Sequence, residues 1–176
     1  MPTRRPIPLR RGALLLALLA VLPGCASLGG LANALSAPTF QVDQSQQPQL
    51  RLVGPGAGRP AGGATLRLYA RVNNPNPIAL TLSTVAGALE LEGRQAANVN
   101  FPLGVPLAAR GETVVPLDIT ISFSDVPALS SILVNAVTGR SVGYRLNGTV
   151  GVNAGLLGQP TFGPMTLLSG SVNVTR

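Results

Sequence analysis

The sequence predicts an all-β domain of about seven to eight short strands carrying one short amphipathic helix. Three observations predict it. From residue 40 onward, apolar residues alternate with a period of two in one segment after another, the mark of strands with one buried face. Turn-forming residues separate those segments, in a chain with 21 glycines and 16 prolines. One stretch alone changes to helical spacing. Many short strands joined by Gly/Pro-rich turns close into a sandwich or a barrel.

Taken in order, segments 39–43 and 49–53 carry the alternation weakly. The run Gly54–Gly63 reads as a flexible loop, because it lacks GxGxxG spacing and the Lys-Ser/Thr ending of a phosphate cradle. In 65–73, Leu66, Leu68, Ala70 and Val72 face one side, and Thr65, Arg67, Tyr69 and Arg71 the other. Asn73-Asn74-Pro75-Asn76-Pro77 then forces a kinked exit, since each proline removes a ladder donor and asparagine side chains supply local turn bonds. Asn74 and Asn76 are candidates for ligand contact or, with more in its favour, for shaping that turn. Segment 84–93 sets Val85, Leu89 and Leu91 against Glu90 and Glu92, and 98–103 is a weaker strand. In 113–123, Val115, Leu117, Ile119, Ile121 and Phe123 share a face. Residues 125–138 place Leu129, Ile132, Leu133, Ala136 and Val137 at helical spacing, with Asp125 as N-cap, Pro127 in the first turn and Gly139 as C-cap. Strands resume at 142–153, with Tyr144, Leu146, Val150 and Val152, and at 165–175, with Leu168, Val172 and Val174. Taken alone, Asn147-Gly148 is a hairpin signal.

The N-terminus has a different organisation. Residues 1–11 hold four arginines and no acid, and 12–22 are wholly apolar, too short to span a bilayer, which takes about 20 residues. That is the layout of a secretory signal peptide. The run ends in Leu22-Pro23-Gly24-Cys25, whose cysteine is the chain's single one. It resembles the lipobox of bacterial lipoproteins, with Leu22 and Gly24 in accord and Pro23 a less usual occupant. The resemblance implies that residues 1–24 are a lipoprotein signal peptide and that Cys25 becomes a lipidated N-terminus. An ordinary secretory peptide cut after an Ala-x-Ala-like site, or an uncleaved anchor, are the alternatives. Ala26 in place of Asp implies the outer membrane, facing the periplasm, in a cell that has one; otherwise the anchor lies on the outer face of the cell membrane. Residues 25–38 have too little apolar surface to fold alone and read as a tether, leaving 39–176 as the folded domain.

Composition argues against most enzyme classes. The chain has no histidine, and all 13 basic residues are arginine. There is then no Ser-His-Asp triad, no imidazole-bound metal and no Schiff-base or P-loop lysine. One cysteine supports neither a disulfide framework nor a multi-thiolate zinc site. Glu90 and Glu92 read as a solvated strand face rather than an acid/base pair, and Asp43, Asp118 and Asp125 are too dispersed for a calcium loop. Ser130-Ser131 has no base to activate it. No catalytic residue, cofactor or metal is expected. Although the formal net charge is +7, nine arginines against six acids leave +3 from Cys25 onward. Those arginines form no stripe and interleave with no aromatic ladder, so nucleic acid is not an expected partner.

The strand exit also carries a family resemblance. Val72-Asn-Asn-Pro-Asn-Pro-Ile78, then Ala88-Leu-Glu-Leu-Glu-Gly-Arg94, resembles the late embryogenesis abundant type 2 family and its WHy (water stress and hypersensitive response) domain. Pro106-Leu-Ala-Ala-Arg-Gly-Glu-Thr-Val-Val-Pro-Leu117 and Tyr144-Arg-Leu-Asn-Gly-Thr-Val150 extend it over roughly residues 38–176. The resemblance makes Asn74, Pro75, Asn76 and Pro77 the family's turn motif. It implies an immunoglobulin- or fibronectin-III-like β-sandwich with one helix and no active site. It also sets Gly148 inside a continuous strand, where glycine suits a bulge or a close backbone approach. The function it implies is non-enzymatic protection of proteins or membrane during desiccation or cold. The partners would be the membrane, through the anchor, and partly unfolded clients or lipid headgroups. A lipid-binding module or an envelope-complex scaffold is the alternative.

Overall fold

The computed structural model describes residues 35–57, 60–124, 129, 132 and 138–174. Eight strands are described: β1 (Thr39–Val42), β2 (Gln49–Val53), β3 (Gly63–Asn73), β4 (Leu80–Leu91), β5 (Arg94–Leu107), β6 (Glu112–Ser122), β7 (Val142–Asn153) and β8 (Thr161–Val172). All pair antiparallel, in two sheets. In the first, β3 is central, with β6 along one side and β1 and β2 following each other along the other. The second runs β5-β4-β7-β8. The architecture is an all-β sandwich.

The inward faces are those the alternation predicts. Leu66, Leu68, Ala70 and Val72 of β3 and Val115, Leu117, Ile119 and Ile121 of β6 are buried against Val85, Leu89, Leu91, Tyr144, Leu146, Val150 and Val152 of the second sheet. Leu129 and Ile132 are helical and also buried in this core. The other residues of the predicted 125–138 helix, Asp125 and Pro127 among them, lie outside the described residues, except Thr138, which is in a turn. Gly139 follows with φ +85°, the left-handed backbone a C-cap position uses.

Three strands, β4, β5 and β8, move at both ends, for reasons of parity, turn position or edge position. β4 begins at Leu80 rather than 84, because a bulge between Leu82 and Thr84 shifts the alternation by one residue. It ends at Leu91, since Glu92 and Gly93 form a two-residue hairpin turn with φ of +50° and +74°. β5 runs from Arg94 to Leu107, beyond the predicted 98–103; Pro102, Gly104 and Pro106 hide a long strand that sits at a sheet edge, where proline is tolerated. β8 spans Thr161–Val172 rather than 165–175, and a register shift opposite Leu146/Asn147 lets Leu167 and Leu168 both be buried.

Asn147-Gly148 lies inside β7, as a strand and not a hairpin. Gly148 stands opposite Gly87 of β4. A Cβ on Gly87 would lie 2.6 Å from the Gly148 Cα, and inside contact distance of the Asn147 carbonyl oxygen. Two glycines therefore permit a close backbone approach at the centre of the second sheet.

Candidate functional site

The residues singled out by the turn motif gather at one pole of the sandwich. There β3 hands over to β4, β5 turns into β6, and the chain leading to β1 arrives. Proline fixes the backbone at Pro75 and Pro77, which are exposed, while Asn74 and Asn76 turn inward and are 0% and 3% exposed. The Asn74 amide donates to the carbonyls of Ile78 (2.8 Å) and Ala108 (3.0 Å). Its Oδ1 accepts from the Asn76 backbone N–H (3.0 Å) and from the Asn76 amide (2.9 Å). The Asn76 amide also donates to the Ser36 carbonyl, and Asn76 Oδ1 accepts from the Ser36 N–H, both at 2.8 Å. Backbone bonds from Asn74 N–H to the Gly111 carbonyl and from Arg110 N–H to the Asn76 carbonyl complete the junction.

Every polar atom of the two side chains thus has a protein partner, which is the geometry of a structural clamp. Of the two readings of Asn74 and Asn76, turn-shaping is the one the hydrogen bonds describe. Sequence reasoning missed the clamp's other members. Ser36, Ala108 and Arg110 lie 34–40 positions from the asparagines they meet, and no local pattern marks them.

A second polar junction ties the β1–β2 connection to the first sheet. Asp43 is 1% exposed, accepts from Arg71 Nη2 at 2.6 Å and from the Ser45 hydroxyl at 2.6 Å, and Arg71 lies 3.6 Å from Glu112. The Arg71 guanidinium, helped by the Ser45 hydroxyl, holds the Asp43 carboxyl down to about 2, against the opposing effect of burial. A carboxyl depressed in the folded state adds stability above its unfolded pKa, and that stability is lost as pH falls. The expected result is an acid limb between about pH 4 and pH 2 that Asp43→Asn flattens. Circular dichroism melts of both proteins across that range test it; parallel curves would remove Asp43 as the cause.

Glu90 and Glu92 do not act as a pair. Glu92 sits in the hairpin turn and accepts from the Gly143 N–H, while Glu90 accepts from the Asn147 amide at 3.3 Å. Arg67 and Asp118 pair on the exposed face of the first sheet, and the arginine pulls the Asp118 carboxyl below its usual range. Among the described residues, no cluster of His, Cys, Asp and Glu could hold a metal ion. A shallow groove of about 590 Å³ runs between the β1–β2 connection and β8, lined by Phe40, Val42, Pro48, Tyr144 and Leu168. Leu22, Pro23, Gly24 and Cys25 lie outside the described residues, and no described helix is long and apolar enough to cross a membrane.

These features define a two-sheet antiparallel sandwich whose buried polar side chains lock loops together. Residues 69–166, more than half of the chain, match the model of the family described as late embryogenesis abundant protein, and the chain belongs to that family. Membership supports a stress-related function in a family that is generally non-enzymatic. The fold is shared with the solution structure of an Arabidopsis thaliana protein, at 16% identity and a TM-score of 0.56, covering 80% of this chain and 83% of that one. It is shared also with the solution structure of a late embryogenesis abundant protein, at 18% identity and a TM-score of 0.51, covering 84% and 82%. No curated protein matches the chain.

Proposed function

We propose that the chain is an exported lipoprotein, held on the cell envelope through Cys25, that protects membrane or neighbouring proteins during drying or cold without catalysing a reaction. The family match over residues 69–166 carries the stress role. The basic-then-apolar N-terminus ending in Leu22-Pro23-Gly24-Cys25 supports the address. In this reading the Cys25 thiol loses its proton and displaces the phosphate headgroup of a phospholipid, forming a thioether to the diacylglyceryl group, and hydrolysis of the Gly24–Cys25 peptide bond frees the Cys25 amine for a further acyl chain. Each buried methylene adds about 0.8 kcal/mol, so two or three chains anchor stably where one is marginal. The sandwich offers weak contacts to partly unfolded clients or headgroups, and its clamped loops let it persist through dehydration. The WHy-type water-stress role belongs to the same proposal.

Drying survival of a deletion strain is the test. Loss of the gene is expected to sensitise the cells, wild type to rescue them, and Cys25→Ser to fail while still being exported. Normal survival of the deletion strain would sink the protective role. The second reading is a lipid-binding module or envelope-complex scaffold, for which the open groove beside Tyr144, lined by Gln41, Gln44, Thr166 and Ser169 as well as by apolar side chains, is the place to look. Mass spectrometry of lipid extracted from the purified protein separates the two.

A further inference from the structure

The pairing registers sort the loops into two poles. Thr39↔Asn73, Asn73↔Glu112, Leu80↔Leu107, Thr81↔Asn153 and Gly151↔Thr161 place the Asn-Pro turn, the 108–111 turn and the 154–160 connection at one end. Leu91↔Arg94 and Val142↔Val172 belong to the other. Ser36 is bound at the first pole by two hydrogen bonds to Asn76. Ten residues lie between it and Cys25, eleven steps along the chain. Whatever conformation they take, they span at most about 40 Å. The chain leading from Cys25 therefore joins the sandwich at this pole, which is the one the proposed anchor is attached to.

That pole is also dressed for a bilayer. The chain there forms a 3-10 turn, Gly155–Leu157, fixed by Gly155 N–H on Asn153 Oδ1 (2.8 Å) and Ala154 N–H on the Gly158 carbonyl (2.9 Å). Leu156 projects from it 100% exposed, a full aliphatic side chain on an ordered turn. Pro75, Pro77, Ala79, Ala108 and Ala109 are exposed at the same pole. In segments 74–79, 108–111 and 153–160 the one charged residue is Arg110, exposed and in no ion pair among the described residues. The opposite pole carries Glu92, Arg94 and Arg140, charges of both signs. An exposed apolar side chain and an exposed cation at one pole match the boundary between lipid tails and phosphate headgroups, and the acid at this pole, Glu112, lies 3.6 Å from Arg71.

We infer that the Asn-Pro pole rests on the lipid bilayer, with Leu156 entering the apolar edge of the headgroup layer and Arg110 meeting lipid phosphates. This rests on the Cys25 anchor proposed above. The full lipidated chain, carrying Leu156→Cys or Arg94→Cys labelled with an environment-sensitive fluorophore, is reconstituted in phosphatidylethanolamine–phosphatidylglycerol vesicles containing shallow spin-labelled lipid. Position 156 is exposed, so the substitution leaves the core untouched. The probe at 156 is expected to shift blue and to be quenched several-fold more than the probe at 94. Equal, weak quenching at both positions overturns the orientation. A blue shift at 156 without lipid quenching also overturns it, since the occupant is then another protein surface. The mass of the N-terminal peptide, read from the same sample, separates the two levels. An unmodified Cys25 defeats the anchor and this inference with it, whereas a lipidated Cys25 with an aqueous probe at 156 defeats the orientation alone.

Discussion

Gly87→Ala is expected to destabilise the domain by about 3 kcal/mol or more. The added methyl would lie 2.6 Å from the Gly148 Cα, and its closest neighbour is the Asn147 carbonyl, so main chain and not a flexible side chain must give way. Neither strand is free to move. β4 is held between β5 and β7, and β7 between β4 and β8. Opening the pair would break ladder bonds and part the core residues Leu89 and Leu146, which face each other across it. Gly148→Ala meets the same obstacle from the other side, with its Cβ 3.0 Å from the Gly87 Cα. Because one displacement relieves both clashes, the double variant should lose clearly less than the two single losses added together. Gly54→Ala, in a loop with nothing within 4 Å of the new methyl, is the control and should change little. Urea unfolding followed by far-ultraviolet circular dichroism reads all four. An unchanged midpoint for Gly87→Ala would show that the two strands can spread at no cost.

The same pair shows what the sequence could and could not reveal. β3 and β6 were legible because Leu66 to Val72 and Val115 to Ile121 alternate without interruption, so each side chain's face follows from its parity. Where a bulge inserts a residue, parity fails. Leu82 and Val85 both reach the core three positions apart, and Leu167 and Leu168 do so as neighbours, which is why the edges of β4 and β8 were misplaced. β5 was half hidden because its prolines and glycine are compatible with a strand at a sheet edge, a position that tertiary structure decides. At the candidate site, Pro75 and Pro77 announce a fixed turn from their chemistry alone. What the turn is fixed to is a long-range fact: Asn74 meets Ala108, and Asn76 meets Ser36, through contacts that no local pattern encodes. Leu156 was invisible for the opposite reason. One leucine in Gly-Leu-Leu-Gly carries no message until the fold shows it fully exposed at the pole where Ser36 is clamped.

Asn74→Ala should remove about 3–4 kcal/mol of stability, for reasons that differ from those at Gly87. Five hydrogen bonds close on one side chain that is 0% exposed, the longest of them to the Leu107 carbonyl at 3.5 Å. Truncation leaves the Ile78 and Ala108 carbonyls without this donor and the Asn76 N–H without its acceptor. A buried polar group left unpaired costs about 1–3 kcal/mol, and water reaching the pole offsets part of that. Asn74→Asp then distinguishes lost hydrogen bonds from lost volume. It keeps the shape and the oxygen that Asn76 uses, but at neutral pH it directs a carboxylate at two carbonyl oxygens. Burial and those carbonyls raise the folded-state pKa of the new group above an unfolded value of about 3.9. A raised carboxyl pKa favours the folded state when protonated, so the variant's deficit relative to wild type should shrink as pH falls through the folded pKa. At pH 7 it should be as unstable as Asn74→Ala. Denaturant midpoints of the three proteins at pH 7 and pH 4.5 decide it. If Asn74→Asp tracks wild type at both pH values, the amide bonds contribute little and the prolines alone hold the turn. If the deficit narrows on acidification, the asparagine amide is what locks the β3–β4 turn to the β5–β6 turn and positions Asn76 to hold Ser36, the first hydrogen-bonded point of the described domain after Cys25.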